Sequence, residues 1–169
     1  MTINLYSFVG MYDRTLGTLS HLLNKGAEHA KATGASEAQM LDWRLIDDMQ
    51  PLSFQAMVVI NFTRAYLARA IGSDVPAEVT MDMDVAGFQA AIADAKAYLA
   101  ALTPEQFAGR DDVPLTITIG NGMELTFPAG QWVSVFATTN IYFHLSTAYG
   151  ILRAKGVQIG KPDLFAGGL

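Results

Sequence analysis

Asn140 and His144 carry the chemistry most worth placing in this chain, because an amide and an imidazole four residues apart on a helix project from one face. At 3.6 residues per turn that face reads Val133, Phe136, Asn140, His144, Thr147 and Ile151, two strong polar groups in a largely apolar stripe. A buried polar side chain without a partner costs about 1–3 kcal/mol, so both need each other, a second helix, water or a metal. Two upstream residues are candidates. Gln55 interrupts the stripe Leu52, Val59, Phe62, Tyr66 and Ala70, and Asp48 lies just ahead of the same helix. A carboxylate placed there also suits a cap, or a favourable charge on the helix dipole.

Three uses of these side chains are chemically sensible. The four can form a hydrogen-bonded core network, which specifies a packing rather than a reaction. His144 and Asp48, with Gln55 or Asn140 and water, could instead hold one divalent metal (Zn, Ni or Mn), whose bound water would acquire a lowered pKa. Finally, Asn140 and Gln55 could give a polar handle to a small-molecule pocket walled by Phe136, Tyr66, Phe62, Trp132 and Phe143. Aromatic stripes at helical spacing also serve as plain core. No Gly-x-Ser-x-Gly, phosphate loop or dinucleotide fingerprint is present. Glu105 and Glu124 have nothing that pairs them as general acid and base.

Composition narrows the classes. The 169 residues are 51% apolar and 16% charged, enough for one domain over residues 1–169 with a full core. That apolar share points to surface buried between subunits. A net charge of −5 provides no basic stripe for nucleic acid. With no cysteine there is no disulfide, thiolate nucleophile or thiolate metal site. The stretch Met1 to Gly10 lacks the basic and long apolar regions of a signal peptide, and no run of about 18 apolar residues suggests a membrane span, so a cytoplasmic protein is expected.

The elements that must position these residues follow from periodicity. Phe8, Tyr12, Leu16, Leu19, Leu23, Ala27 and Ala30 predict a first helix over residues 5–31, closed by Gly34, with His21 and His29 off its stripe and facing solvent. Ser36 to Gln39 is a capping box that opens a short helix carrying Met40, Leu41, Trp43 and Leu45. Pro51 opens the second long helix, which reaches Ile71 before Gly72. Asp82 or Asp84 caps the third, with Phe88, Ile92, Ala95, Leu99 and Leu102 as its stripe, and Thr103 to Gln106 starts one more helical turn. The period then falls to two. Leu115, Ile117 and Ile119 alternate with threonines, Gly120-Asn121-Gly122 turns the chain, and Met123 to Phe127 return. One continuous helix is expected from Gln131 to Arg153, followed by a tail that packs back and frays over residues 166–169. Four long helices with a β-hairpin between the third and fourth predict an all-α four-helix bundle.

The order of these elements, with Asp48 to Gln55, Asn140-Ile-Tyr-Phe-His144 and Gly160-Lys-Pro-Asp163, resembles the DinB/YfiT-like superfamily. Within it the chain is similar, over essentially its whole length, to the branch described as domain of unknown function nineteen-ninety-three. The resemblance implies a DinB-like four-helix bundle and, together with the apolar composition, a homodimer. In many members it implies a divalent metal on three histidines, one from the second helix and two from a His-x-x-x-His motif on the last. Some relatives use that metal to activate a low-molecular-weight thiol. Here His144 matches the second histidine of the motif, Asn140 stands at the first, and Gln55 falls near the position on the second helix. Amides beside one imidazole are poor ligands for transition metals. The expected protein is therefore a non-catalytic or small-ligand-binding bundle with a degenerate metal site. The alternative is a metal-dependent enzyme, hydrolase or thiol transferase-like, with its metal centred on His144.

Overall fold

A computed structural model describes residues 4–120 and 122–168, leaving the residue at the middle of the expected turn, Asn121, outside it. The chain is mostly helical, with one two-stranded antiparallel sheet. Helix α1 (Ser7–Thr33) buries Tyr12, Leu16, Leu19, Leu22 and Leu23, and ends where Gly34 adopts φ 79°, a left-handed cap that only glycine takes cheaply. Helix α2 (Glu37–Leu41) opens with the expected Ser36–Gln39 capping box but stops at Leu41. Trp43 and Leu45 therefore lie in the irregular segment that leads to α3 (Leu52–Ile71), not on a helix. Helix α4 (Val85–Ala100) is capped by Asp84, whose Oδ1 accepts from the Gly87 amide at 2.8 Å. The single turn α5 (Pro104–Phe107) follows with its predicted Thr103–Gln106 box.

Strands β1 (Pro114–Ile119) and β2 (Met123–Pro128) pair in the register Leu115↔Phe127, Ile117↔Leu125 and Ile119↔Met123. Ile117 is buried while Thr116 and Thr118 face out, the alternation that the period of two predicts. A lone hairpin is marginal in water. This one is fastened by Trp132, whose Nε1 donates to the Leu115 carbonyl at 2.8 Å.

The last long helix runs unbroken from Ala129 to Ala154, as expected, but it is not α-helical throughout. It comprises a short turn α6 (Ala129–Gln131), a π-helical segment (Trp132–Ala137) and α7 (Thr138–Ala154). The physical cause lies at the Val133 carbonyl. Thr138, five residues on, donates its hydroxyl there at 2.8 Å, and the buried Tyr12 hydroxyl lies 3.0 Å from both the carbonyl and Thr138 Oγ1. Side chains that enter a helical ladder in this way account for local widening. Burial holds the Tyr12 phenol protonated, well above its usual range, so it acts as a hydrogen-bond group and never as a charge.

Helix α3 packs against α7, α4, α1 and the π-helical segment, and α1 also contacts α4 and α7. The C-terminal tail packs back as expected, and of the residues expected to fray, 166–168 are placed against α1 while Leu169 lies outside the described residues. A 3-10 turn (Lys161–Phe165) places Asp163 Oδ1 2.7 Å from His21 Nε2, and the Gly167 amide donates to Thr18 Oγ1 at 3.2 Å. A Cβ on Gly17 would sit 3.0 Å from Gly167 Cα, so the tail crosses α1 at a glycine–glycine contact. His29 Nε2 lies 3.1 Å from the Lys155 carbonyl. Both histidines expected to face solvent are thus half-buried and engage the end of the chain. Among the described residues, no helix is long and apolar enough to cross a membrane.

Candidate functional site

Gln55 is almost fully buried on α3, at 2% exposure, and its amide is oriented by a group that can only accept: Nε2 donates to the Gln50 carbonyl at 2.9 Å. Its oxygen must therefore face the other way, where it meets Nδ1 of His144 on α7 at 2.7 Å. A carbonyl oxygen accepts, so the imidazole carries its proton on Nδ1 and leaves a lone pair on Nε2. Burial holds the His144 pKa below its ordinary value, which keeps the ring neutral. Phe54 and Phe143 meet the imidazole edge-on, with centroids at 5.9 and 5.1 Å. Nε2 has no hydrogen-bond partner among the described residues, yet it is not sealed from solvent.

The other two sequence candidates do not join this pair. Asn140 Nδ2 donates to the Phe136 carbonyl at 2.8 Å, four residues back in its own helix. Asp48 is exposed in the turn before α3 and makes no hydrogen bond or ion pair among the described residues; Pro51, not Asp48, is the residue at the α3 N-cap. The superfamily resemblance implies a divalent metal at this place. Near His144 the chain offers one imidazole, with Nδ1 already engaged, and one amide oxygen. Among the described residues, no three His, Asp or Glu side chains group in a way that could hold a metal ion. These residues do not fit a transition-metal centre.

A cleft of about 310 Å³ opens instead between α3, the π-helical segment and β1. Phe62, Tyr66 and Phe136 form its aromatic wall: Phe62 stacks on Phe136 at 6.3 Å and 25°, and Tyr66 lies 5.6 Å from Phe136. Trp132, at 1% exposure, packs behind Phe136 and Tyr66 rather than lining the space, while Phe143 is 57% exposed and does not line it. The cleft takes two of the four residues expected to contact a ligand, Tyr66 and Phe136, and leaves out Gln55 and Asn140. Its charged residues, Arg69 and Glu78, are ones that sequence reasoning missed. The spacing of Arg69 three residues after Tyr66 was a usable signal, since i and i+3 share a helix face. Nothing local announced that β1 would close over that face.

Arg69 stands with its Cζ 5.3 Å from the Tyr66 ring centroid and makes no ion pair or hydrogen bond among the described residues. Tyr66 is 4% exposed, and its hydroxyl likewise lacks a partner without being sealed from solvent. Burial raises the Tyr66 pKa, an effect partly offset by the nearby Arg69 charge, so the phenol remains a donor.

No curated protein matches this chain. Among solved structures it is similar to the crystal structure of a DinB family member protein from Shewanella denitrificans, with 26% identity and a TM-score of 0.85 over 95% of this chain and 90% of that one. Residues 5–165 match the family described as Domain of unknown function (DUF1993), and the chain belongs to that family.

Proposed function

We propose that this protein is a DinB-like four-helix bundle, a single domain over residues 1–169, that binds a small organic molecule in the cleft between α3, the π-helical segment and β1. The observation that carries this reading is the wall of Phe62, Tyr66 and Phe136 around about 310 Å³, with an unengaged phenol and guanidinium among its linings. A space of that size suits a small ligand with an apolar body and one polar end. The Gln50–Gln55–His144 chain does not line the cleft. It serves as a polar contact between α3 and α7, and no metal-dependent reaction is assigned to it.

The same reading includes a homodimer. Val135, Tyr142 and Phe143 are 57, 46 and 57% exposed on the outward side of the last helix, an apolar group of the kind that pairs with a second copy. Sedimentation showing a monomer at micromolar concentration would remove this part.

The binding reading is tested with a library of small organic molecules observed by NMR, wild type beside Ala65→Phe, which fills the cleft from the α3 side. Ligands that bind wild type and fail with the filled variant support the cleft. Ligands indifferent to the substitution, or no ligand at millimolar concentration, reject it.

A further inference from the structure

We propose that the cleft selects a monocarboxylate with a flat apolar body, its carboxylate seated on Arg69 and its body on Phe62, Tyr66 and Phe136. The inference rests on the ligand-binding reading above and adds the chemical class. Its first support is how the arginines are used. Arg44, Arg64, Arg110 and Arg153 each donate to a backbone carbonyl, and Arg14 is exposed. Arg69 is half-buried, held by the Tyr66 ring, and spends none of its donors on the protein. A guanidinium keeps its five N–H groups while its charge rests on an aromatic face, and its planar fork matches a carboxylate in two parallel bonds. Beside it the nearly buried Tyr66 hydroxyl offers a further donor.

The second support is Glu78, which limits the charge of the occupant. The backbone on either side of it is held. Arg64 Nη2 donates to the Ala77 carbonyl at 3.1 Å, and Asn61 takes the Val79 amide and carbonyl at 2.9 Å each. This clamp leaves Glu78 exposed at the cleft without an ion pair to Arg69. A carboxylate lining the cleft repels a second negative charge, so a dicarboxylate or a phosphate monoester is disfavoured. Asn61 and Arg64 are engaged in the clamp and do not compete for the ligand.

The test compares 3-phenylpropionate, its neutral amide, phenethylamine and phenylsuccinate by calorimetry at fixed ionic strength. The expected order places the monocarboxylate roughly tenfold tighter than the amide, as for a charged hydrogen-bonded contact. The dicarboxylate should bind more weakly than the monocarboxylate. Arg69→Gln should abolish the preference over the amide while amide binding, which also reports an intact fold, is unchanged. Glu78→Gln should restore the dicarboxylate. Equal affinities of acid and amide, with both lost in Ala65→Phe, would keep the cleft and overturn the carboxylate class. Tightest binding by the amine would overturn it in favour of Glu78 as anchor. Binding of none of the four, while other molecules bind in an Ala65-dependent manner, also overturns the class; no cleft-dependent binding by any molecule overturns both readings.

Discussion

Nδ1 of His144 lies 2.7 Å from Oε1 of Gln55, and this contact joins α7 to α3 through two side chains whose orientations are set by a third group, the Gln50 carbonyl. One consequence is a pH dependence. Burial depresses the His144 pKa below 6.5, so the unfolded chain takes up a proton first as pH falls. Stability is therefore whole above 6.5 and declines as pH drops from there toward the lower folded-state value. An NMR titration of His144 should show a midpoint under 6.5, and Gln55→Glu, which sets an anion beside the ring, should move it upward. An unshifted midpoint in the variant would mean that Nδ1 does not face residue 55.

Removing the acceptor altogether should be costly. Gln55→Leu leaves the His144 donor unpaired at a half-buried site, for which a loss of about 1–3 kcal/mol in denaturant unfolding is expected. His144→Leu in the same background should recover part of that loss, because replacing both partners by apolar groups is far cheaper than orphaning one.

The Tyr12 hydroxyl should contribute to the π-helical segment. Tyr12→Phe retains the ring in a fully buried position but withdraws the hydroxyl from Val133 and Thr138. Thr138 still satisfies the carbonyl, so the expected cost is about 1 kcal/mol, at the lower end for a buried hydrogen bond. Hydrogen exchange should speed up locally over the segment 132–138 relative to α3.

Tail docking should be equally sensitive. A Cβ on Gly167 would run into the Arg14 carbonyl, which is backbone and cannot swing aside. Gly167→Ala should release the C-terminal segment and expose it to carboxypeptidase, and Gly17→Ala should do so more mildly. Asp163 accepts from the Gly160 amide and then from His21, and both depress its pKa below 3.8. Its share of stability is thus present above 3.8 and is lost as pH falls through the depressed value.

Metal retention should be negligible. Protein equilibrated with Zn, Ni or Mn and then desalted should keep none in proportion to chain, and His144→Ala should behave identically. One engaged imidazole beside an amide is too weak a donor set. A stoichiometric metal lost in His144→Ala would reverse the assignment.

The sequence by itself determined the helices, their caps and the hairpin, because each is governed by interactions within a few residues. Gly34 and Gly72 end helices, Asp84 and Ser36 cap them, and the alternation through Ile117 marks a strand. It also identified Gln55 and His144 as polar groups on apolar stripes, and two such groups on neighbouring helices found each other. What local spacing could not supply was phase and neighbourhood. The π-helical segment between residues 132 and 137 widens the helix, so the 3.6-residue pattern that carried Val133 through to His144 does not hold across it. At that segment the Val133 carbonyl also takes the Tyr12 hydroxyl, more than a hundred residues away in the chain. The cleft is decided in the same way. Tyr66 and Arg69 are local, but the wall opposite them comes from β1, and Glu78 lines the space from a backbone segment whose clamp exists only once the chain has folded.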